Sequence, residues 1–505
     1  MNCRECAVQW FPRVLVAALL LGACMGRADA YGYLCHDPSV GINTQRHGGS
    51  RGIVARWPLD ASGEARIPYW IDRVPPKDGQ LPGTIDEVID AVRCAFAVWD
   101  SVDTAAVTFE YRGLVDKADA LDNTNVVTFR PTYPAPPDFE WAIFPNAWYT
   151  SGADLPGPDG TWVATPPGRF LDCDIVVYSP GGYTLAAVEA PEDDRLSLRG
   201  IMAHEIGHML GLDHSGLGQS TMYAYATWGL GFPELTLLPD DRIGLSTLYP
   251  TPEFLARFGR IDGRVVDGDG RPVAGLNVVA VDSATGEALA SSMTGLADTD
   301  ERGVPTAYDL SAGEFRIFVP PGRYGLLVEP MGHATQGPTY MSGIYGSASG
   351  RGSFLDTSWQ AAFDTVVLTV DAGGTAHRDL VVSRADDSTP LFGRRVSLRR
   401  SEALSAWQSP AELRRGDRAT IAVERGTVGE PGKVAAVSFD FVGGSIEVLP
   451  AASEPAEGLL ALEVKVADDA ALGARVLRAT TDKGVAYFPG AVAVVDDPGA
   501  GRPGA

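Results

Sequence analysis

Seven histidines occur in the chain, and three of them fall inside eleven residues: His204-Glu205-Ile206-Gly207-His208-Met209-Leu210-Gly211-Leu212-Asp213-His214. On a helix, His204 and His208 sit four residues apart and project from one face toward one ion. His214 cannot share that face if the helix continues, so the chain must turn. Gly211 is where it can, because glycine takes the left-handed conformation at no steric cost. Three neutral imidazoles leave the fourth tetrahedral position of a zinc ion open to water, which is the pattern of a catalytic rather than a structural site. Zinc lowers the pKa of such a water to about 7. Glu205 is a carboxylate beside His204 and not a ligand, so it is placed to act as general base in hydrolysis of a carbonyl compound.

Met222 follows the third histidine closely, within Ser220-Thr221-Met222-Tyr223. A lone methionine there is ordinarily core, and its weight comes from its position. The alternative, that the three histidines are ordinary core and surface residues, fails on the five-position pattern. The bare H-E-x-x-H core is far less specific.

The extended histidine pattern, Ser215 directly after it, and Met222 resemble the matrixin branch of the metzincin zinc metalloproteases. The likeness extends over about residues 57 to 250, taking in Arg56-Trp57-Pro58, Ile67 to Ile71, Ala95-Phe96-Ala97-Val98-Trp99 and Leu238 to Leu245. It implies an α+β, zincin-like catalytic domain with a twisted mixed sheet and an active-site helix. It also implies zinc held by His204, His208 and His214, Met222 as an apolar floor beneath the metal, and Asp240 and Asp241 buttressing the methionine turn. An extended peptide would dock antiparallel to an edge strand, here Asp174 to Tyr178, by strand addition. Departures are equally plain. No histidine lies between His47 and His204, so the second, structural zinc of matrix metalloproteinases is absent. Calcium is a further option at Asp159, Asp172 and Asp174, although acids in loops are usually solvated turns.

The elements that must position these residues follow from periodicity. Arg66 to Ile71 and Val107 to Glu110 read as strands, and Ile85 to Trp99 as an amphipathic helix with Val88, Val92, Phe96 and Trp99 on one face. Residues 131 to 170, dense in Pro and Gly, read as long surface loops. Asp174 to Tyr178 is a strand, Leu196 to Leu210 the histidine-bearing helix, and Asp240 to Tyr249 a last helix. Asp240 and Asp241 sit at its positive end. Beyond residue 258 the pattern changes to strands and tight turns. Residues 258–385 resemble a carboxypeptidase-regulatory-like, transthyretin-like β-sandwich with an irregular insertion near 333 to 365. Residues 390–495 resemble an immunoglobulin-like sandwich, and 496–505 form a disordered tail. The expected organisation is therefore a catalytic domain over 31–252 followed by two all-β sandwiches.

Composition bounds the remaining choices. The 505 residues require several cores. A formal charge of −23, with no basic tract, disfavours nucleic acid and anionic lipid as partners. Residues 1–30 carry Arg4 and Arg13, an apolar run from Val14 to Leu21 and the small-residue end Ala28-Asp29-Ala30, the pattern of an export signal cleaved before Tyr31. The run is too short for a transmembrane span. Leu21-Gly22-Ala23-Cys24 is a loose lipobox, so the alternative is a lipid anchor on Cys24 in a bacterial envelope. After cleavage Cys35, Cys94 and Cys173 remain in an oxidising compartment, and the preferred bridge joins Cys35 to Cys94. About thirty-five residues separate Tyr31 from the first strand, too few for a folded propeptide. Cys35 capping the zinc as a thiolate is the alternative to that bridge.

Two functional classes stand beside each other. In one, the chain is a secreted endopeptidase acting on protein or peptide, with its β-domains holding a cell-surface or matrix ligand. In the other it is a binding protein that retains a non-proteolytic scaffold. A zinc hydrolase of a non-peptide amide would use the same ligands.

Overall fold

The computed structural model describes residues 33, 35–36, 51–74, 84–129, 143–149, 154–156, 162–164, 166–177, 185–186, 196–218, 220–223, 237–309, 311–330, 359–384, 396–399, 407–408, 411–424, 437–456, 459–481 and 484–495. Residues 1–30, expected as an export signal and containing Cys24, together with Asp159, residues 224–236, the greater part of 333–365 and residues 496–505, lie outside the described residues.

The first sheet is built from β2 (Ala65–Asp72), β3 (Val107–Val115), β4 (Val126–Thr128), β5 (Ile143–Tyr149) and β6 (Phe170–Val177); β1 (Arg51–Val54) lies apart from it. Its order is β3-β2-β4-β6-β5. The first four strands run parallel, and β5 pairs antiparallel with β6, Asn146 opposite Asp174. The strand containing Asp174 is therefore internal, hydrogen-bonded on both sides. The expected edge at Asp174 to Tyr178 is corrected: among the described residues β5 is the outermost strand on that side. The reason lies in the stretch 131 to 170, read as loops for its Pro and Gly, which contains β5 and a small hairpin of Asp154–Pro156 with Trp162–Ala164.

Helix α1 (Ile85–Asp100) starts at Thr84, whose hydroxyl accepts from the Glu87 amide at 3.3 Å while the Glu87 carboxylate accepts from the Thr84 amide at 2.6 Å. This reciprocal cap satisfies two otherwise unpaired donors. The helix buries Val88, Ala91, Val92, Ala95, Phe96 and Trp99. Truncating Phe96 or Trp99 would cost about 3–5 kcal/mol. Cys94 falls on the outward face and carries a free thiol. The expected Cys35–Cys94 bridge is thus not formed, because Cys94 points away from the core while the Cys35–His36 strand pairs with Val54 and Ile53.

Helices α2 (Leu198–Met209) and α3 (Pro239–Leu248) complete this part of the chain. The strands that follow are β7 (Gly259–Val266), β8 (Leu276–Asp282), β9 (Ala288–Met293), β10 (Leu296–Thr299), β11 (Pro305–Asp309), β12 (Glu314–Val319), β13 (Gly322–Pro330) and β14 (Ala362–Val370). One sheet has the order β12-β7 followed by Thr375–His377, and a second the order β9-β8-β13-β14. Ile261, Val265, Phe315, Ile317, Val278, Leu326 and Val328 form one core from strands of both sheets.

A third set of strands forms sheets of five and four. Arg418–Glu424 and Leu459–Val466 lie inside the larger, Gly473–Thr481 and Gly484–Val495 inside the smaller, around a core that includes Ile421, Leu462, Val464, Leu477 and Val492.

Packing crosses these divisions. Cys35–His36, β1, β11 and β10 make one four-stranded sheet in that order, Ile53 opposite Ala307. Met293, Leu296 and Tyr308 are buried in the same core as Phe96, Met202 and Met222. Among the described residues no helix is long and apolar enough to cross a membrane.

Candidate metal centre

Helix α2 is apolar on most sides, burying Leu198, Met202, Ala203, Ile206 and Met209, as expected of a helix enclosed by its surroundings. Ser197 caps its start, its hydroxyl accepting from the Gly200 amide at 3.0 Å. At the other end the Gly211 amide donates to the His208 carbonyl at 2.9 Å and the Leu212 amide to the Gly207 carbonyl at 3.0 Å. Gly211 has φ +95°. Together these make a Schellman closure, with glycine at its left-handed position. A Cβ on Gly211 would also lie 2.4 Å from the Ala55 carbonyl oxygen, so both conformation and space require glycine there.

The turn brings the third histidine back. Nε2 of His214 lies 2.9 Å from Nε2 of His204 and 3.1 Å from Nε2 of His208. Among the described residues these three form the one group of three or more His, Cys, Asp or Glu whose ligand atoms all lie within 4.8 Å of one another. Backbone carbonyls set the tautomers. Nδ1 of His204 donates to the Thr221 carbonyl at 2.7 Å, and Nδ1 of His208 to the Leu212 carbonyl at 2.8 Å. With those protons on Nδ1, the Nε2 lone pairs face one point, and a cation satisfies such a cluster of acceptors. The donor set of imidazole nitrogens suits zinc.

Desolvation pushes His204 down to about 4, against the hydrogen bond to Thr221. Desolvation, followed by the neighbouring His204, takes His208 down to about 3. Both rings are neutral at physiological pH, as ligation demands. Glu205 is buried, and burial pushes its carboxyl well above the usual range. A cation beside it would draw it back down.

Met222 is fully buried under α2. A Cβ on Gly207 would meet its sulfur at 2.1 Å and Trp99 Cζ2 at 3.0 Å, so Gly207 is the recess that admits this methionine. The turn around Met222 is held by Asp241. Its carboxylate accepts from the Thr221 and Leu238 amides at 3.0 Å, from the Met222 amide at 3.1 Å, and from the Ser220 hydroxyl. Asp240 plays a different part, accepting from the Ser215 hydroxyl at 2.5 Å and from the Ser291 amide on β9 at 2.7 Å. Burial first, then the Asp241 charge, pushes Asp240 up to about 8 despite those bonds.

Sequence reasoning gave no role to Trp57 or Tyr249. The Trp57 indole donates to the Met209 carbonyl at 2.7 Å, and the Tyr249 hydroxyl donates to the Leu210 carbonyl at 2.9 Å. Both stop carbonyls that the helix end leaves open. The available signal was chemical: a buried Trp or Tyr needs a partner for its polar tip. Asp172 and Asp174 are fully buried, not solvated. Asp174 accepts from the Ala120 and Val126 amides, each at 2.8 Å, and Asp172 from the Asp122 and Asn123 amides at 2.8 and 2.7 Å. They staple the 119–126 stretch to β6.

Residues 142–250 match the matrixin family of peptidases, and this part of the chain is a matrixin-type domain. No curated protein matches the chain. Among solved structures it is similar to the minor pilin of Streptococcus agalactiae at 13% identity and a TM-score of 0.15, over 28% of this chain and 49% of that one. It thus spans about half of that pilin's length. It is also similar to titin domains Z1Z2 in complex with telethonin, at 14% identity and a TM-score of 0.14, over 47% and 94% of the respective chains.

Proposed function

We propose that the protein is an exported zinc metalloendopeptidase. The observation that carries this reading is the convergence of the three Nε2 atoms at 2.9 and 3.1 Å, with Glu205 beside His204 in the helix and Met222 buried beneath it. The matrixin match over 142–250 agrees with it. His204, His208 and His214 hold zinc, which when bound supplies polarisation of water and of the scissile carbonyl.

The chain's own residues do the rest. Thr221 and Leu212 hold two of the imidazoles in register through their Nδ1 protons. The Glu205 carboxylate takes a proton from the attacking water as the new C–O bond forms. It then returns that proton to the amine nitrogen as the C–N bond breaks. An extended peptide would align on β5, whose outer side has no partner strand among the described residues.

The test is hydrolysis of a quenched protein substrate by the full mature chain, with and without a zinc chelator, beside Glu205→Ala loaded with zinc. Activity is expected from the wild type alone, lowered by about 10²–10⁴-fold in the variant. Equal rates in the two proteins would overturn the assignment of Glu205. Turnover that survives the chelator would overturn the metal mechanism.

A further inference from the structure

His204 and His208 ride on a regular helix, but His214 does not. Among the described residues from Leu212 to Tyr223 no helix or strand forms, and the backbone makes isolated bridges, Tyr33 with Leu212 and Ser215 with Tyr223. The residues that follow the third imidazole are gripped by both β-domains. Leu217 is 1% exposed and packs in a cluster with Val279, Ala288 and Leu327 of the second domain and Val476 of the third. The Gly218 amide donates to the Pro489 carbonyl of the third domain at 3.1 Å. Gly216 lies so close to β8 that a Cβ would meet the Asn277 amide nitrogen at 2.5 Å. The Ser215 hydroxyl accepts from the Leu217 amide at 3.1 Å and donates to Asp240, which in turn holds the β9 backbone at Ser291.

We propose that Ser215–Gly218 is a positioning segment through which the two β-domains hold His214 in the metal-binding arrangement, so that the sandwiches are structural parts of the metal centre. This rests on the zinc reading above. A linker to a detachable binding module is expected to be exposed and polar, whereas Leu217 is wedged between two modules. Any rearrangement of either sandwich at Val279 or Val476 would be passed to His214 within three residues.

The test uses the full chain and zinc affinity, measured by competition with a chromophoric chelator, rather than turnover. Gly216 is not in a left-handed conformation, so Gly216→Ala introduces only the clash with Asn277. Its zinc affinity is expected to fall roughly ten- to hundredfold, as on losing outer-shell support. Adding Asn277→Ala, a change in the second domain, is expected to restore most of the loss. Wild-type affinity in Gly216→Ala, or a loss that the second change leaves untouched, would overturn the proposal. Should Gly216→Ala fail to fold, Leu217→Ala removes contact instead of adding it. A lowered melting temperature with unchanged zinc affinity there refutes the clamp. The zinc reading is judged separately on the wild type, which must bind one zinc that His208→Ala loses.

Discussion

Replacing Gly211 by alanine tests the geometry of the metal centre at its tightest point. At φ +95° an L-residue pays about 1–2 kcal/mol for left-handed backbone. The added Cβ would lie 2.4 Å from the Ala55 carbonyl oxygen and 3.4 Å from the Phe170 ring, and overpacking of that kind costs about 1–3 kcal/mol. Alanine recovers about 0.4–1 kcal/mol through the unfolded chain. The net expectation is a loss of about 2–4 kcal/mol. Since the same turn returns His214 to the other ligands, zinc affinity should fall with it. Gly63 supplies the internal control: its φ is +84°, and a Cβ there would meet nothing within 4 Å. Gly63→Ala should lose no more than about 1–2 kcal/mol and should bind zinc as wild type does. Denaturant unfolding and chelator competition on both variants decide the matter. Equal stability losses at the two positions would refute the clash with Ala55, and undiminished zinc affinity in Gly211→Ala would refute the link between this turn and the ligand set.

Three further outcomes follow from the same contacts. Trp57→Phe removes the donor to the Met209 carbonyl and should cost about 1–3 kcal/mol, read by chemical denaturation. Chelation of the metal should lower the melting temperature and zinc should restore it in a concentration-dependent way, because a ligand that binds only the folded chain stabilises it by mass action. The third concerns pH. The native Asp240 carboxyl keeps its proton to about pH 8, while the unfolded chain releases it near pH 4. The folded state therefore binds the extra proton between those values, and this contribution is full below about pH 4 and lost as pH rises to about 8. Asp240→Asn should remove that part of the slope, so its melting temperature relative to wild type should rise with pH. A parallel pH dependence in the two proteins would refute the buried, protonated Asp240.

Much of the candidate metal centre was legible in the sequence because it is local. The four-residue spacing of His204 and His208 needs only helical periodicity to be read, and Gly211 announces the break that follows. The amphipathic run from Ile85 to Trp99 likewise predicts its own helix, which the structure places at Ile85–Asp100. Strand identity was mostly legible for the same reason, since Arg66 to Ile71 and Val107 to Glu110 alternate or run apolar within themselves, and the structure has strands at Ala65–Asp72 and Val107–Val115.

What only the tertiary structure decided is pairing across long separations. Backbone hydrogen bonds carry no side-chain signature, so nothing local tells Ile53 to lie opposite Ala307 or makes β5 rather than Asp174 to Tyr178 the outermost described strand on that side. Pro145 on β5 argued for a loop, and an edge strand is where a sheet tolerates proline. Asp240 read as a helix-end acid because charge at an N-terminus is sufficient reason for one. Its second oxygen finds Ser291, fifty-one residues on, only after two cores have closed around it. The sequence by itself determined three histidines at the spacing of metal ligands and the turn that gathers them. The tertiary structure determined what packs around that turn: Trp57, Tyr249 and Asp241 within the matrixin-type domain, and Val279, Leu327 and Val476 of the later strands around Leu217, contacts that exist only once distant chain segments have packed together.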